Sequence, residues 1–352
     1  MVRWKNLKRS NQKSNELDLQ LTTEIDNYEY ACNNIVVFDM ILSEIANAKT
    51  HQGRKLKPSS NNRITHDKVT PDLSFEERKN GKYRAVNEIK AWLPNDKEQW
   101  IDVVDQLQSY DDDLTDWEFS GNEKHDIMLT IDPRFTNLFH DYLDNLQKTK
   151  NIKIERNFAI IQSSKQERAL PSIFVRKDFG VIDHEELDKK FSNGISKIMY
   201  NIARDLDKVK FYDAKPPVIY TMMQMWDHIF SKYINSREKR TKMDNGQTVN
   251  LDLDVDKIHE KLSELTHDSN PNCLKKSWIV DALNEFVSIG LAESSPNGPR
   301  FKVKYRKHSG FTEDFILELM QKKEEAKIKP VSDGLDKFID KKDEQSTEEN
   351  KL

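Results

Sequence analysis

Residues 69–92, VTPDLSFEERKNGKYRAVNEIKAW, decide which fold and which chemistry can be expected of this chain. The stretch contains two segments of strand-forming residues joined by a short polar connection, and Asn80-Gly81 in that connection is a strong hairpin-turn signal. The first strand opens with Pro71-Asp72, and the second ends in Glu88-Ile89-Lys90. Two carboxylates and one lysine are therefore expected on a single strand pair.

The length of the turn decides whether these side chains can meet, because side chains alternate between the two faces of a strand. A two-residue loop pairs Asp72 with Ile89 and leaves the two carboxylates on opposite faces. A three-residue loop pairs Asp72 with Lys90 and places Asp72, Glu88 and Lys90 on one face. A shared site requires the longer loop, or a bulge that has the same effect.

Two carboxylates and a lysine in this arrangement suit the metal-dependent cleavage of a phosphodiester. Mg²⁺ prefers a few carboxylate oxygens and keeps several waters, so it can neutralise a phosphate and activate a water. On this interpretation Asp72 and Glu88 hold Mg²⁺ (Mn²⁺ can substitute), the Ile89 carbonyl is a further ligand, and Lys90 offsets developing charge. The alternative is an exposed, ion-paired strand face. The apolar neighbours of the second strand argue against it, because unpaired charge is costly in a buried strand.

The order of elements around this stretch predicts one mixed α/β domain over residues 24–182, with a mixed sheet flanked by helices. Apolar residues at helical spacing predict helices over residues 24–48, 97–111 and 134–149. Short apolar runs predict further strands over residues 125–131, 158–162 and 172–176.

The residues Pro71-Asp72 and Glu88-Ile89-Lys90 resemble the motif of the PD-(D/E)XK, or restriction-endonuclease-like, nuclease superfamily. The resemblance covers roughly residues 24–180 and includes the order of elements. It implies a restriction-endonuclease-like sheet, divalent metal bound by Asp72 and Glu88, and attack assisted by Lys90.

Two further assignments follow from that resemblance. Gln106 and Tyr110 match the Gln-x-x-x-Tyr helix motif of the RecB-like branch, which implies a catalytic role for both. Being four residues apart, they share a helix face and are expected to reach the site or its DNA strand.

Family members often carry an acidic residue on the first helix. Glu44 is the expected further metal ligand, with Glu24 and Glu29 as alternatives.

The second half of the chain carries a different pattern, which begins at Pro216-Pro217. Three predicted helices and a two-stranded hairpin over residues 216–310 resemble a winged helix-turn-helix domain, an α+β module. In DNA-binding members the front of the third helix enters the major groove and the wing contacts the backbone. The expected DNA-binding residues are Lys275, Lys276, Ser277, Arg300, Lys302 and Lys304. A protein-binding role is the alternative, and the acidic residues 252–256 would repel DNA if they faced the same way.

Composition limits the classes of protein to which this chain can belong. The 352 residues carry a net charge of −4, so a case for nucleic-acid binding depends on local patches. No apolar run is long enough to cross a membrane, no signal peptide is visible, and Cys32 and Cys273 are too few for a disulfide scaffold, which predicts a cytoplasmic protein. The flanking segments are expected to be a basic flexible arm (1–23), a helical connector (183–215) and a charged helix with a disordered tail (311–352).

The sequence therefore predicts a magnesium-dependent endodeoxyribonuclease with DNA as its substrate, of a kind used in restriction, anti-phage defence or DNA processing. A homodimer or a partner subunit is compatible with this prediction. The alternative function is a non-catalytic DNA-binding transcription regulator, or an adaptor that uses the winged helix.

Overall fold

The computed structural model divides the chain into two compact units. The sheet unit comprises residues 26–216 and 262–275, and the second unit comprises residues 1–25, 217–261 and 276–352. The structure describes residues 2–58, 68–77, 83–94, 97–118, 124–149, 152–166, 172–198, 211–212, 214–231, 248–264, 274–295, 300–306, 316 and 320, with side chains in the first helix from Leu19 onward.

A seven-stranded mixed sheet forms the centre of the sheet unit, as far as its strands are described. Its order is β1-β3-β4-β6-β7-β8-β9, in which β4, β6 and β7 run parallel and all other neighbours are antiparallel. The bounds are β1 (Ala48–Gln52), β3 (Leu73–Glu77), β4 (Arg84–Lys90), β6 (Asp126–Ile131), β7 (Phe158–Gln166), β8 (Ser172–Gly180) and β9 (Ile195–Ile198). Two short strands, β2 (Lys57–Pro58) and β5 (Leu114–Thr115), pair separately.

Helices cover both faces of this sheet. The packed part of α1 (Val2–Ile45) places an apolar stripe that includes Phe38 and Ile41 on one face. Two helices, α2 (Trp100–Ser109) and α3 (Pro133–Thr149), bury aromatic and aliphatic residues on the other. Within β4, Ala85 and Ile89 belong to the first core and Val86 to the second, as the alternation of a strand requires. This arrangement confirms the mixed α/β class with helices on both sheet faces.

Two flanking segments differ from expectation. Instead of a flexible arm over residues 1–23, the helix α1 begins at Val2, because no Pro or Gly interrupts the chain up to Ile45 and the packed half can propagate into the polar half. The segment 183–215 is not a purely helical connector. It contains α4 (Glu185–Asn193) and then β9, which pairs with β8 and extends the sheet.

The second unit combines helices with a three-stranded antiparallel sheet of order β10-β12-β11. The helices are α5 (Val218–Gln224, continued by a π-helical segment Met225–Phe230), α6 (Val255–Glu264) and α7 (Lys276–Ser288). The expected hairpin is present as β11 (Ala292–Ser294) and β12 (Arg300–Arg306). The strand β10 (Thr248–Asp254) was not predicted, although Val249, Leu251 and Leu253 alternate with polar residues.

The predicted charged helix and tail over residues 311–352 lie outside the described residues except at Ile316 and Met320. Among the helices that the structure describes, none is both long and apolar enough to span a membrane.

Candidate metal centre

The pairing of β3 with β4 brings Asp72 and Glu88 together, in a register that differs from both loop alternatives. The pairs run from Leu73 opposite Asn87 to Glu76 opposite Arg84, so neither the pairing of Asp72 with Ile89 nor its pairing with Lys90 is the one that forms. Continued by one residue, this register places Asp72 opposite Glu88. A shift of two residues preserves the face on which a side chain lies, so the two carboxylates still share one face. The turn residues 78–82, including Asn80-Gly81, lie outside the described part of the chain.

Hydrogen bonds tie the predicted residues into one buried cluster. The carboxyl groups of Asp72 and Glu88 are in hydrogen-bond contact, and the Ile89 backbone N–H donates to Asp72 Oδ2 at 2.8 Å. The Lys90 ammonium donates to Glu88 Oε1 at 2.6 Å. Because the N–H and C=O of a residue in an extended strand point to the same side, the Ile89 carbonyl faces the Asp72 side as well.

The helix α2 supplies the other two predicted residues. Tyr110, the residue that follows α2, donates its hydroxyl to Glu88 Oε2 at 2.8 Å, and Gln106 Nε2 donates to that hydroxyl at 3.0 Å. Glu88 is only 1% exposed, so these contacts hold its carboxylate in a fixed position inside the protein. The structure thus brings Gln106 and Tyr110 to the cluster, where Tyr110 orients Glu88 and Gln106 orients Tyr110.

Burial and mutual repulsion control the protonation of the cluster. Burial raises the pKa of the Asp72 carboxyl well above its ordinary value and the Glu88 charge raises it further, while Lys90 and the Ile89 N–H act in the opposite direction. The pKa of the Lys90 ammonium is also raised, because the carboxylates of Glu88 and Asp72 outweigh the cost of its burial. The pKa of the Tyr110 hydroxyl is raised well above its usual value by burial and by Glu88, so it remains a neutral donor.

The donor set fits a small, hard divalent cation. Two adjacent carboxylates and one ammonium carry a net negative charge once both acids are ionised. Burial and then the Glu88 charge raise the pKa of Asp72, and the opposing effects of Lys90 and the Ile89 N–H do not cancel this rise. No group of three or more His, Cys, Asp or Glu side chains capable of holding a metal occurs among the described residues. A cation here would take two carboxylates and the Ile89 carbonyl, with water and phosphate at its other positions, which is how Mg²⁺ is usually held.

A second buried carboxylate on the same strand is neutralised and thus has a structural role. The fully buried Glu76 contacts Arg84 at 3.2 Å and Arg54 at 3.2 Å, and it accepts the Glu118 backbone N–H at 2.7 Å. Arg84 also lies over the ring of Trp117, at 5.3 Å from its centroid. Two cations and one N–H therefore satisfy Glu76, in contrast to Asp72.

The structure does not bring Glu44 to the carboxylate pair. Strand β1 starts at Ala48, opposite Glu77, and runs about 13 Å to Gln52, opposite Leu73, so α1 ends far from Asp72. The Glu44 side chain is 58% exposed and forms an ion pair with Lys197 on β9.

The alternative acidic residues on α1 have other surroundings. Glu24 accepts a hydrogen bond from Gln20 at 3.0 Å. Glu29 lines a cavity of about 150 Å³ together with Tyr30, Asn34 and Ser163. The cavity lies where α1 meets β7, two strands away from β4 in the sheet.

Sequence reasoning missed Tyr212, whose hydroxyl is close enough to the cluster for the Asp72 and Glu88 charges to affect its pKa. Its hydroxyl pKa is raised by burial and then by the charges of Asp72, Cys32 and Glu88, and its ring packs at 4.6 Å from that of Tyr28. Tyr212 belongs to the segment predicted as a helical connector, and no motif connects it with residues 69–92. Only its aromatic character could have indicated a packed position.

Four of the five predicted DNA-binding cations, all in the second unit, have acidic residues beside or opposite them. Lys276 forms an ion pair with Asp256 at 2.7 Å, and Lys304 forms one with Glu293 at 2.7 Å. Arg300 lies 3.9 Å from Asp254. Lys302 lies on β12 opposite Asp252 and Glu293, while Lys275 and Ser277 are exposed at the start of α7. These partners reduce the positive charge that the β11–β12 hairpin and the start of α7 can offer to a phosphate backbone.

Comparisons of the chain with protein-family models, with curated proteins and with solved structures gave no match.

Proposed function

We propose that the protein is a magnesium-dependent DNA endonuclease of the PD-(D/E)XK type, with its active site at Asp72, Glu88 and Lys90. The observation that carries the proposal is the buried contact between Asp72 and Glu88 with Lys90 beside them, because two carboxylates that share one lysine call for a further cation. The parallel strands β4, β6 and β7 beside the antiparallel β3, with helices on both faces, support a restriction-endonuclease-like fold.

In the proposed reaction, each residue of the cluster has a distinct task. Asp72, Glu88 and the Ile89 carbonyl would hold Mg²⁺, which when bound supplies charge neutralisation at the scissile phosphate and lowers the pKa of a coordinated water. Lys90 offsets the charge that develops as the water attacks in line. Tyr110 and Gln106 keep the Glu88 carboxylate oriented, so little reorganisation is needed when the substrate binds.

The direct test is cleavage of plasmid and single-stranded DNA by the full-length chain with Mg²⁺ or Mn²⁺. We expect cleavage that EDTA abolishes, and a loss of about 10²–10³-fold in rate for Lys90→Ala because one charge-stabilising group is removed. Lys148→Ala is the matched control, since Lys148 pairs with Asp144 on the exposed surface of α3. The nuclease assignment fails if the wild type cuts neither substrate or if Lys90→Ala cuts as fast as Lys148→Ala.

Metal binding is expected to release protons from the cluster. Because burial and Glu88 raise the pKa of Asp72, the metal-free protein retains a proton that a bound cation must displace. Mg²⁺ affinity should therefore fall as the pH is lowered through the raised pKa of Asp72 and reach a plateau above it. Isothermal titration calorimetry in buffers of different ionisation enthalpy measures this release, which Asp72→Asn should remove. Equal Mg²⁺ affinity from pH 5 to 8 contradicts the expectation.

We further propose that the second unit is a winged-helix module that helps to dock DNA. The three-stranded sheet and the exposed cations at the start of α7 and on β12 support this role. Their acidic partners imply a weak contribution to affinity. If the cleavage test fails while DNA binding persists, the alternative function of a non-catalytic DNA-binding regulator applies.

A further inference from the structure

An exposed aromatic group lies beside the proposed active site. Trp92 is 41% exposed, and it is the aromatic residue among the large hydrophobic side chains that are exposed in the described part of the chain. Leu138 on α3 is 46% exposed. Trp100 of the same domain is buried. A single exposed side chain is ordinary, so the case for a binding surface depends on what surrounds the Trp92 indole.

The indole of Trp92 belongs to a small stack that the fold holds in place. The guanidinium of Arg134 lies 5.5 Å from the centroid of the Trp92 ring and 5.6 Å from that of Phe135. The rings of Trp92 and Phe135 meet edge to face at 5.2 Å. Asp132 accepts from Arg134 Nε at 2.8 Å and from a terminal guanidinium nitrogen at 3.2 Å, so the guanidinium plane is fixed although the Arg134 side chain is 67% exposed. We call Trp92, Arg134 and Phe135 the stacking platform.

The stacking platform lies at the end of the sheet where β4 finishes at Lys90 and β6 finishes at Ile131. Trp92 follows Lys90 by two residues, which limits their backbone separation to about 7 Å. On the neighbouring strand, Ile131 is paired with Lys90, and Asp132 and Arg134 follow Ile131 by one and three residues. Trp92 therefore follows the proposed catalytic Lys90 on one strand, and Arg134 and Phe135 follow Ile131, the residue paired with Lys90, on the next strand.

We propose that the stacking platform binds an unpaired nucleobase of the strand being cut, next to the scissile phosphodiester. This inference rests on the proposed function and narrows its substrate class to DNA with a single-stranded segment at the cut. A base offers a flat π-face that stacks on an indole or a guanidinium whatever its identity. Because Asp132 already neutralises Arg134, the platform favours a flat neutral ring over a phosphate. A paired base would present only its edge to the platform.

The experiment measures binding without cleavage. Full-length protein in EDTA is titrated into a fluorescein-labelled oligo(dT) and, separately, into a blunt duplex of the same length, with anisotropy as the readout. We expect Trp92→Ala to weaken oligo(dT) binding by about 5- to 100-fold and duplex binding by less than about twofold. Trp92→Phe should retain part of the affinity because a ring remains. Arg134→Ala, which removes the cation but leaves the indole, should give a smaller loss. Melting temperatures of all variants verify that they are folded.

The outcomes separate this inference from the nuclease assignment. Oligo(dT) binding that depends on Trp92 in a protein that cuts no DNA supports base stacking on the platform and overturns both the nuclease assignment and the position of that base beside a cut. Cleavage by the wild type with unchanged oligo(dT) binding in Trp92→Ala overturns the platform alone. An equal loss on both DNAs also overturns it. If Trp92→Ala leaves DNA binding unchanged but alters the oligomeric state measured by sedimentation, the stacking platform is a contact between copies of the chain and the inference is wrong.

Discussion

The substitution Asp72→Asn is expected to abolish cleavage and, at the same time, to raise the melting temperature of the metal-free protein. Asparagine keeps an oxygen that can accept the Ile89 N–H, so the local backbone contact is preserved. It removes one of the two carboxylates that would hold the cation, and we expect a loss in rate of about 10³-fold or more. A residue that lowers stability while supporting activity is typical of a functional site.

The gain in stability follows from the sign of the pKa shift. The pKa of Asp72 is raised in the folded protein by burial and by Glu88, so the folded state binds a proton more tightly than the unfolded state. Stability therefore falls as the pH rises from the ordinary carboxyl value of about 4 to the raised value, and it stays low above it. Asparagine has no such proton to lose. The stability advantage of the variant should be small near pH 4 and should grow toward neutral pH.

Thermal unfolding of both proteins in EDTA, followed from pH 4 to pH 8, measures this difference. A domain of this size gains about 2–4 °C for each kcal/mol of stability. Added Mg²⁺ should raise the melting temperature of the wild type and leave that of Asp72→Asn unchanged, because only the wild type retains both carboxylates. A variant that is less stable than the wild type at pH 8 would show that Asp72 supports the fold and is not held there for binding.

The substitution Glu76→Gln should have the opposite profile, with a large loss of stability and little change in chemistry. Glu76 is fully buried between Arg54 and Arg84, and Arg84 is itself buried. Removing the carboxylate leaves a buried guanidinium without its counter-charge, for which we expect a loss of about 3–5 kcal/mol in the free energy of unfolding. The residue lies on the same strand face as Asp72, four positions further along β3.

Urea denaturation at 15 °C, with cleavage assayed at the same temperature, separates the two roles. The matched control is Glu118→Gln, which removes a carboxylate that pairs with Lys49 near the surface and should cost less than about 1 kcal/mol. The folded fraction of Glu76→Gln should cut DNA at nearly the wild-type rate. If Glu76→Gln is as stable as Glu118→Gln but inactive, then Glu76 belongs to the reaction and its assignment as a structural carboxylate is wrong.

Local patterns were sufficient to predict much of the sheet unit. Alternating and helical apolar spacing indicated β3, β4, β6 and the helices α2 and α3, because one buried face leaves a period in the sequence. The same pattern was insufficient for β9, whose Ile195–Ile198 is short and joins the sheet at its edge. It was also insufficient for the polar half of α1, where helix propagation from the packed half decides the conformation.

By itself, the sequence determined that Asp72, Glu88 and Lys90 stand at strand ends, and that Gln106 and Tyr110 share a helix face, because both features depend on neighbours in the chain. Only the tertiary structure decided the register that sets Asp72 beside Glu88, since the pairing of two strands depends on the whole sheet face that they bury. It also decided the direction of β1, which carries Glu44 away from the cluster. The contact of Trp92 with Arg134 arises in the same way, because it joins the ends of two parallel strands.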